Sequence, residues 1–527
     1  MNPLPHLQRT GGGAQLIVEG APFLMLAGEV HNSSSSSLAY MERIWERMAA
    51  LHCNTALTPI SWELIEPTEG EFDFTLVDGL LEGARRHNLR LVPLWFGAFK
   101  NGRSTYAPEW VKTNSQRFVH AQSHPGHDVL PLSCFCEETI EADARAFAAL
   151  MRHLREVDAE QQTVIMVQVE NEVGLMRAPR DFSAPAERVF AQPVPSSLVD
   201  YLSTHTKTLH PALSQIQFDD TPSMTWSDMF GGDANEAFMS WGFGRFVGRV
   251  AEAGRAEYPL PHFANAWLVQ YDGQPAGEYP NGGPVSRMMD IWRAAAPAIE
   301  FLAPDIYIDD FAGVCADYAR PGNPLFIPEA RRDHTAAAGA FYAIAEHSAL
   351  GFSPFGIESI GGAASETIAG PVADASLGIQ TDPSGLLLAQ TYRLLSDMTP
   401  IIAQHQNTGA MRGILQKTTP DLGLEIGGYR LQVKFPTPLN PGQPPAGGLI
   451  IALGEGDYLV AGFSFSVQFH PAPGSPGEVD FLEISDGDYR DGEWLPGRRL
   501  NGDEYGVRLG AAPSTRRVRV YQHNPPI

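Results

Sequence analysis

The sequence predicts an α/β fold: a (β/α)8 TIM barrel followed by an all-β, sandwich-like C-terminal domain. Three observations support this prediction. Eight short apolar runs recur within about 340 residues, and segments with helical periodicity separate them, which is the pattern of a barrel. Polar clusters rich in carboxylates follow several of the runs, as expected where barrel strands end at a site. From Gly409 onwards, short strand-like runs separated by Gly and Pro replace the alternation.

The eight apolar runs are the predicted barrel strands. Their β-branched, thioether and aromatic residues are typical of strands that are buried on both faces. The runs cover residues 23–28, 55–58, 89–95, 164–169, 262–267, 301–307, 325–328 and 349–355. Helical periodicity between the runs is clearest at residues 38–51, 76–87, 138–158 and 284–298.

The chain is long enough for two domains. At 527 residues it exceeds the size at which a single core keeps growing, so we expect a barrel domain over residues 1–405 and a β-rich domain over 406–527. The longest barrel loops are predicted after strand three, at 100–133, and after strand four, at 174–259, where they would form the rim of a cleft. The sequence leaves open whether the C-terminal domain binds sugar, covers the cleft or forms a homodimer.

Composition and charge argue against some classes of partner. The net charge of −24 works against binding nucleic acid or anionic membranes, and it is compatible with a neutral ligand such as a sugar. No apolar segment reaches the roughly 18 residues that span a bilayer. Because residues 1–13 lack the apolar core of a signal peptide, a cytoplasmic location is expected, or a periplasmic one if a leader was removed. The four cysteines are too scattered for a disulfide framework, so free thiols are expected.

The fourth apolar run ends abruptly in Glu170, Asn171 and Glu172. Carboxylates are rarely buried without partners, so this placement indicates a site at the C-terminal end of a strand. Glu329 ends the seventh run in the same way. Two carboxyl groups about 5 to 5.5 Å apart would serve a retaining glycosidase, in which one protonates the leaving oxygen and the other attacks the anomeric carbon. We therefore select Glu172 and Glu329 as the catalytic pair.

Further polar and aromatic residues near the predicted strand ends are candidate substrate contacts. Asn171 offers an amide to a ring hydroxyl, and Tyr307 could donate its hydroxyl to the Glu329 carboxylate. Aromatic rings could support the apolar face of a sugar. The predicted substrate-binding set is Asn171, Tyr307, Glu29, His31, Trp62, Asn265, Trp267 and Phe355.

Several alternatives stay open at the level of sequence. Because side chains alternate along a strand, Glu170 and Glu172 share a face unless a bulge re-aims one of them, and Glu170 could be the acid/base. Glu358 could replace Glu329 as the nucleophile, and Glu329 could instead pair with a following arginine, Arg331 or Arg332. The dispersed histidines and aspartates contain neither His-Glu-x-x-His nor an EF-hand loop, so no catalytic metal and no cofactor are expected.

Two motifs resemble glycoside hydrolase family 35, the β-galactosidases. Val-Gln-Val-Glu-Asn-Glu-Val-Gly at 167–174 is similar to that family's acid/base signature, and Trp-Glu-Leu-Ile-Glu-Pro followed by Gly-Glu-Phe-Asp-Phe, within 62–74, resembles its strand-two signature. The resemblance covers the predicted barrel. It departs from the family at Pro59, where a tyrosine is usual, and at 97–100, where Gly-Ala-Phe-Lys stands in place of an Ala-Glu sugar contact.

The resemblance implies a retaining exo-β-galactosidase with Glu172 as acid/base, Asn171 as a galactose-binding amide and Glu329 as nucleophile. It implies a divergent bacterial branch with a β-rich C-terminal domain, acting on galactosylated plant oligosaccharides such as those of xyloglucan. Two other functions stay open. The same chemistry could act on a β-glucoside, a β-mannoside or an α-L-arabinoside, and a non-catalytic barrel could use the same carboxylates only to bind carbohydrate.

Overall fold

The computed structural model describes residues 3–216, 224–360, 383–436 and 438–524. Eight parallel strands close into a barrel in which each strand pairs with the next and the eighth pairs with the first. The prediction of a (β/α)8 barrel is therefore confirmed. In chain order, barrel strands 1 to 8 are Met25–Glu29, Thr55–Ser61, Arg90–Lys100, Val167–Asn171, His262–Trp267, Phe301–Ile306, Ile327–Ala330 and Gly351–Pro354.

Each barrel strand overlaps one of the eight predicted apolar runs, although the bounds of most strands differ from those of the runs by one to five residues. Barrel strand 4 begins at Val167 because the backbone N–H groups of Thr163 and Val164 donate to the Asp158 carboxylate, at 3.0 and 2.8 Å, before pairing resumes. Barrel strand 3 continues to Lys100, beyond the predicted end at 95. The extension of barrel strand 3 lies at the C-terminal end of the barrel, where it brings Lys100 opposite Asn171.

Amphipathic helices surround the barrel. In Leu38–Ala50 the buried residues recur at helical spacing, and the Ser37 side chain caps the helix by accepting a hydrogen bond from the backbone N–H of Tyr40. No helix in the described part of the chain is long and apolar enough to cross a membrane. The described α-helices are Leu38–Ala50, Trp62–Ile65, Thr75–Arg86, Glu109–Lys112, Glu137–Asp158, Ala184–Phe190, Ser196–Thr204, Trp226–Phe230, Ala234–Glu257, Met289–Ala295, Phe311–Tyr318, Ala336–His347, Pro383–Asp397 and Thr399–His405.

Three of the four predicted helices have nearly the predicted bounds. The fourth, predicted at 284–298, is shorter: it consists of the 3-10 turn Ser286–Met288 followed by Met289–Ala295. The helix ends there because Pro297 follows Ala296, and the residue before a proline is disfavoured in the α conformation. The other described 3-10 turns are Ser34–Ser36, Pro211–Leu213, Gly231–Asp233, Ile357–Ser359 and Gly502–Glu504.

A small sheet that the sequence did not predict closes one end of the barrel. It consists of His6–Thr10, Gly13–Val18 and Ala21–Pro22. Its buried Leu16 and Val18 belong to the same apolar cluster as residues at the starts of the barrel strands. The N-terminal end of the barrel is thereby filled with hydrocarbon, which leaves the opposite end for polar chemistry.

The C-terminal part of the chain is all-β, as predicted. Two antiparallel sheets enclose a separate apolar core. In sheet order, the six-stranded sheet consists of Met411–Leu415, Gly447–Gly454, Asp457–Phe463, Ser514–His523, Glu478–Arg490 and Glu493–Arg499, and the four-stranded sheet of Asp421–Ile426, Tyr429–Lys434, Phe465–Pro471 and Val507–Leu509. The remaining described strands, His120–His124 and His127–Leu132, form a hairpin after barrel strand 3.

The six-stranded sheet packs directly on helix Ala336–His347 of the barrel. The Glu346 carboxylate accepts a hydrogen bond from Arg412, at 2.8 Å, and another from the backbone N–H of Gly413, at 2.9 Å. A Cβ atom at Gly447 would lie 2.5 Å from the Cα atom of Ala338, so only glycine allows this approach. The β-rich part is therefore held by close backbone packing and a charged hydrogen-bond pair.

One buried tyrosine of helix Pro383–Asp397 is hydrogen-bonded to two barrel strands. The Tyr392 hydroxyl donates to the backbone oxygens of Ala27 and Phe352, both at 2.9 Å, in barrel strands 1 and 8. We predict that Tyr392→Phe lowers the free energy of unfolding by about 1–3 kcal/mol, because buried carbonyls lose a donor. Thermal unfolding monitored by circular dichroism would measure this, with Tyr521→Phe on the exposed surface as the control. Equal midpoints for the two variants would contradict the prediction.

Candidate active site

Four carboxylates from four different barrel strands converge at the C-terminal end of the barrel. Glu29, Asp305 and Glu329 lie in barrel strands 1, 6 and 7, and Glu172 directly follows barrel strand 4. All four are at most 6% exposed. One carboxylate oxygen each from Glu172, Asp305 and Glu329 lie within 4.8 Å of one another. The structure thus brings the two residues predicted as the catalytic pair into direct proximity.

The backbone at the end of barrel strand 4 aims Glu172 into this cluster. Glu170 and Glu172 have φ angles of 60° and 44°, in the left-handed region that side chains other than glycine rarely adopt. The backbone N–H of Glu172 donates to the Asn265 side-chain oxygen at 2.9 Å, which fixes this conformation. Strict strand alternation is thereby broken, and Glu170 and Glu172 point to different surroundings.

Burial, and next the charge of Glu329, raise the pKa of Glu172 to about 7, while the Lys100 ammonium opposes this shift. A carboxyl group with such a pKa is largely protonated in mildly acidic solution. Glu172 is therefore suited to donate a proton.

Glu329 is surrounded by hydrogen-bond donors. The Tyr307 hydroxyl donates to one carboxylate oxygen at 2.7 Å, and the side-chain amides of Asn171 and Asn265 donate to the other, at 3.3 and 3.4 Å. Three donors stabilise an ionised carboxylate. Burial and the Glu329 charge also raise the pKa of Tyr307, which keeps its hydroxyl protonated as a donor.

The arginines that follow Glu329 do not pair with it in the described contacts. Arg331 forms an ion pair with Asp309 at 2.8 Å, and Arg332 donates to the backbone oxygen of Phe355 at 3.4 Å. The alternative of a Glu329 salt bridge with a following arginine therefore has no support in this geometry. The carboxylate instead faces the cluster with the hydroxyl and amide donors around it.

Glu358 occupies a different position from its rival Glu329. Its carboxylate accepts hydrogen bonds from the backbone N–H of His31, at 2.9 Å, and from the Ser34 hydroxyl, at 2.6 Å. Glu358 therefore holds the loop after barrel strand 1. The second oxygen of this carboxylate has no described partner.

Glu170, the other candidate acid/base, lies behind the barrel wall. Its carboxylate accepts hydrogen bonds from the backbone N–H groups of Ala98 and Phe99, at 3.1 and 2.7 Å, and is hydrogen-bonded to the Asp143 carboxyl. Asp143 also accepts from the Trp95 indole N–H at 2.8 Å. Burial and the neighbouring carboxylate raise the pKa of Glu170 well above its ordinary range. A carboxyl pair joined by a hydrogen bond shares a proton. Because its partners are Asp143 and the backbone of barrel strand 3, Glu170 shapes that strand and does not face the cluster.

Two further residues of the cluster were not among the predicted site residues. The Lys100 ammonium donates to the Asn171 side-chain oxygen at 2.8 Å, and Asp305 accepts from the Asn265 amide at 2.7 Å. Burial and the nearby carboxylates raise the pKa of Asp305 well above its ordinary range. A signal existed for both, because Asp305 interrupts a predicted strand and Lys100 ends an apolar run.

Glu29 belongs to the cluster, and His31 follows it in the loop after barrel strand 1. Neither carboxylate oxygen of Glu29 has a described partner, and burial together with the charge of Glu329 raises its pKa well above the ordinary range. The His31 ring is hydrogen-bonded to the Ser359 hydroxyl at 2.9 Å and meets the Phe355 ring edge-on at 5.2 Å. Burial lowers the pKa of His31. A sugar hydroxyl could therefore exchange hydrogen bonds with a neutral Glu29.

The predicted aromatic contacts divide into two groups. Trp267 and Phe355, at the ends of barrel strands 5 and 8, are half-buried and can still meet a ligand. Trp62 is fully buried, its indole N–H donates to Glu66 at 2.7 Å, and its ring packs against Trp110. This placement does not support Trp62 as a substrate contact, because the Trp-Glu-Pro motif uses the indole to fix its own loop.

The cluster also contains the kind of oxygen ligands that hard cations prefer. Among the described residues, Glu172, Asp305 and Glu329 are the only group of three or more side chains spaced closely enough to hold a metal ion. The absence of a catalytic metal and of a cofactor stays a prediction.

Comparison with known proteins connects this site to a family. Residues 33–210 match a family model described as Beta-galactosidase, that of glycoside hydrolase family 42. This segment, about a third of the chain, is similar to the β-galactosidase domains that the model describes. It includes Asn171 and Glu172 at the end of barrel strand 4. Residues 388–510 match a second family model, described as a domain of unknown function.

The expected family is corrected by this match. The model that fits is that of family 42, and an assignment to family 35 is not supported. The motifs at 62–74 and 167–174 both lie within the segment that matches the family 42 model. They are short, and they did not distinguish the two families.

Individual relatives are distant or are covered only in part. A β-galactosidase of Xanthomonas manihotis is 33% identical over 63 residues, which is 12% of this chain and 10% of that protein. Among solved structures, a β-galactosidase from Bacillus circulans sp. alkalophilus has a TM-score of 0.49 at 13% identity, covering 72% of this chain and 57% of that one. The catalytic domain of β-amylase from Paenibacillus polymyxa has a TM-score of 0.45 at 12% identity, covering 63% and 92%. The chain thus spans little more than half of the Bacillus structure.

The carboxyl pair behind barrel strand 3 generates a prediction about folding. A Cβ atom at Gly97 would lie 2.5 Å from a Glu170 carboxylate oxygen and 2.6 Å from an Asp143 oxygen. We predict that Gly97→Ala lowers the free energy of unfolding by about 2 kcal/mol or more, because these buried groups must move apart. Thermal unfolding would show the loss, and Gly12→Ala, which has open space around it, is the matched control. A Gly97→Ala midpoint equal to that of the control would refute the prediction.

Proposed function

We propose that this protein is a retaining exo-β-galactosidase that releases terminal β-D-galactosyl residues from oligosaccharides by double displacement. The observation that carries the proposal is the pairing of Glu172 and Glu329, whose buried oxygens lie within 4.8 Å but in unlike surroundings. Glu329 accepts hydrogen bonds from three donors, whereas burial and the charge of Glu329 raise the pKa of Glu172 to about 7. Such a pair supplies one nucleophile and one acid. The match of 33–210 to a β-galactosidase family supports the choice of sugar.

In the first step, the glycosidic bond is exchanged for a bond to the protein. A Glu329 oxygen attacks the anomeric carbon, the bond from this carbon to the leaving oxygen breaks, and Glu172 transfers its proton to that oxygen. The loss of this proton leaves Glu172 ionised as the negative charge of Glu329 is consumed by the new ester bond. The two charge changes compensate each other, so the buried site never holds an additional net charge.

In the second step, water reverses the exchange. The ionised Glu172 removes a proton from water, the water oxygen attacks the anomeric carbon, and the ester bond to Glu329 breaks. Two inversions at the same carbon give net retention. Tyr307 and the amides of Asn171 and Asn265 then bind the released Glu329 carboxylate again, which stabilises it as a leaving group.

The site also provides contacts for the hydroxyls of one sugar unit. The carboxyl groups of Glu29 and Asp305 each retain at least one oxygen without a described partner. Burial raises the pKa of both, so each can donate and accept a hydrogen bond when a hydroxyl approaches. Contacts of this kind on the buried side of the pair favour a terminal residue over an internal one.

The role of Glu329 can be tested by chemical rescue. We predict that Glu329→Gly reduces kcat on an aryl β-D-galactoside by about 10³-fold or more and that azide restores turnover with an α-galactosyl azide product. The matched experiment with Glu172→Gly should give the β-configured azide, since Glu329 would still form the intermediate. Product configuration is read by proton NMR. A Glu329→Gly variant with wild-type activity would exclude the assignment.

The elevated pKa of Glu172 predicts a pH dependence. Glu172 must be protonated in the first step, so kcat/KM is expected to fall as the pH rises through about 7, the pKa of this group in the free protein. Glu172→Gln should remove this alkaline limb when the substrate has a leaving group that needs no proton, such as 2,4-dinitrophenolate. An alkaline limb that persists in Glu172→Gln with this substrate would contradict the role.

Specificity can be tested with a panel of substrates. We expect higher kcat/KM for an aryl β-D-galactoside than for the corresponding β-D-glucoside, β-D-mannoside or α-L-arabinoside. Galactosylated xyloglucan oligosaccharides test the natural leaving group. Preference for another sugar of the panel would retain the chemistry and change the substrate. Sugar affinity without turnover of any panel member at any pH would instead indicate a carbohydrate-binding protein.

A further inference from the structure

Barrel strand 3 carries a lysine to an unusual position within the acidic cluster. Strand pairing runs from Trp95 opposite Val169 to Lys100 opposite Asn171, with an irregular register between them, so strand 3 contains extra residues there. Lys100 is 6% exposed, and its ammonium lies 4.8 Å from the centre of the Phe96 ring. No ion pair of Lys100 within 4.0 Å is found among the described residues. A buried ammonium is costly, so its retention here requires a compensating interaction.

The extra residues of barrel strand 3 are fixed by the buried carboxyl pair. Glu170 accepts hydrogen bonds from the backbone N–H groups of Ala98 and Phe99, and Asp143 accepts from that of Ala98 at 2.8 Å. Lys100 itself exchanges two backbone hydrogen bonds with Arg103, at 2.8 and 3.0 Å. Backbone hydrogen bonds at Lys100 and at the two residues before it therefore fix the position of this lysine, which is buried and is not a mobile surface side chain.

The Lys100 ammonium determines how the Asn171 amide is oriented. An ammonium group has only donors, so the atom of Asn171 that lies 2.8 Å away must be the oxygen. The Asn171 amide nitrogen then faces Glu329 and donates to one of its carboxylate oxygens at 3.3 Å. An ionised carboxylate has no proton to donate, so its oxygens act only as acceptors. One chain of contacts thus runs from Lys100 through Asn171 to Glu329.

We propose that Lys100 is a positioning residue of this site, which orients the Asn171 amide towards Glu329 and provides the positive charge that opposes the surrounding carboxylates. The proposal rests on the proposed function for its catalytic consequence. The electrostatic part has independent support, because the Lys100 charge acts to lower the pKa of both Glu172 and Glu29. Lys100 thereby keeps the proton of Glu172 transferable near neutral pH.

The test compares Lys100→Met, which removes the charge, with Lys100→Arg, which keeps it. The first readout needs no enzymatic activity. It is an NMR titration of Glu172 in protein labelled with ¹³C at the glutamate carboxyl groups. The Glu172 resonance is assigned as the one that is lost in Glu172→Gln. We expect the Glu172 midpoint to rise by about one pH unit in Lys100→Met and to stay near the wild-type value in Lys100→Arg. Lys434→Met, on the exposed surface of the β-rich part, controls for loss of a distant charge.

The second readout is the pH profile of kcat/KM on an aryl β-D-galactoside. The alkaline limb should move upwards with the Glu172 midpoint in Lys100→Met, and kcat should fall about tenfold or more as the Asn171 amide loses its fixed orientation. A merely structural role would lower the folded fraction and leave the limb where it is. If Lys100→Met does not fold, Lys100→Gln provides the neutral variant.

The outcomes separate the two proposals. A Glu172 midpoint that is equal in wild type, Lys100→Met and Lys100→Arg would overturn the role of Lys100, whatever the activity. A midpoint that moves as expected in a protein that hydrolyses no glycoside would support the charge of Lys100 and overturn the proposed function. A Lys100→Arg variant in which Glu172 titrates as it does in Lys100→Met would also overturn the proposal. The positive charge retained at position 100 would then have no effect on the Glu172 carboxyl group.

Discussion

The crowding of buried carboxyl groups at one end of the barrel is the constraint on which the rest of the site depends. Glu29, Glu172, Asp305 and Glu329 are all buried, and burial together with their mutual repulsion opposes the ionisation of all four. The positive charge of the Lys100 ammonium acts against this effect on Glu29 and Glu172. The protein resolves the conflict by giving the donors to Glu329. Burial and the neighbouring carboxylates raise the pKa values of the other three, Glu29, Glu172 and Asp305. Chemical asymmetry between similar side chains follows from this unequal supply of donors.

Two asparagines distribute the donors. Asn171 receives a hydrogen bond from Lys100 and gives one to Glu329, while Asn265 receives one from the backbone of Glu172 and gives hydrogen bonds to Asp305 and Glu329. Each amide thus connects one carboxylate to a neighbour on another barrel strand. The parallel barrel makes this possible because all strands end at the same face, so residues far apart in sequence meet there.

The cost of the site is carried by the surrounding structure. Left-handed backbone at Glu170 and Glu172 is unfavourable, and the unpaired oxygens of Glu29 are buried without a described partner. Apolar packing at the opposite end of the barrel, where Leu16 and Val18 enter the interior, and the contact of helix Ala336–His347 with the β-rich part supply rigidity. A strained polar end and a well-packed apolar end are thus combined in one barrel.

Most of the architecture was predictable from the order of residue types along the chain. Apolar runs of strand length and amphipathic helical segments identified all eight barrel strands, because burial on both faces leaves a direct record in residue type. A carboxylate at the end of a buried run drew attention to Glu170, Glu172 and Glu329, and the motif resemblance decided for Glu172 over Glu170. The same resemblance named family 35, which the family comparison does not support, because two short motifs were not enough to separate it from family 42.

Only the tertiary structure decided which neighbours each side chain meets. The choice between Glu170 and Glu172 depended on two left-handed residues and a buried partner, Asp143, that sequence spacing does not reveal. The place of Lys100 depended on an irregular strand register, and that of Trp62 on a local hydrogen bond to Glu66. Hydrophobic pattern fixes which segments are buried, but the direction of a polar side chain is set by partners brought from elsewhere in the chain. Glu172, Glu329 and the Glu329 donors Asn171, Tyr307 and Asn265 were predictable from the sequence, whereas Lys100 and Asp305 were not among the predicted site residues.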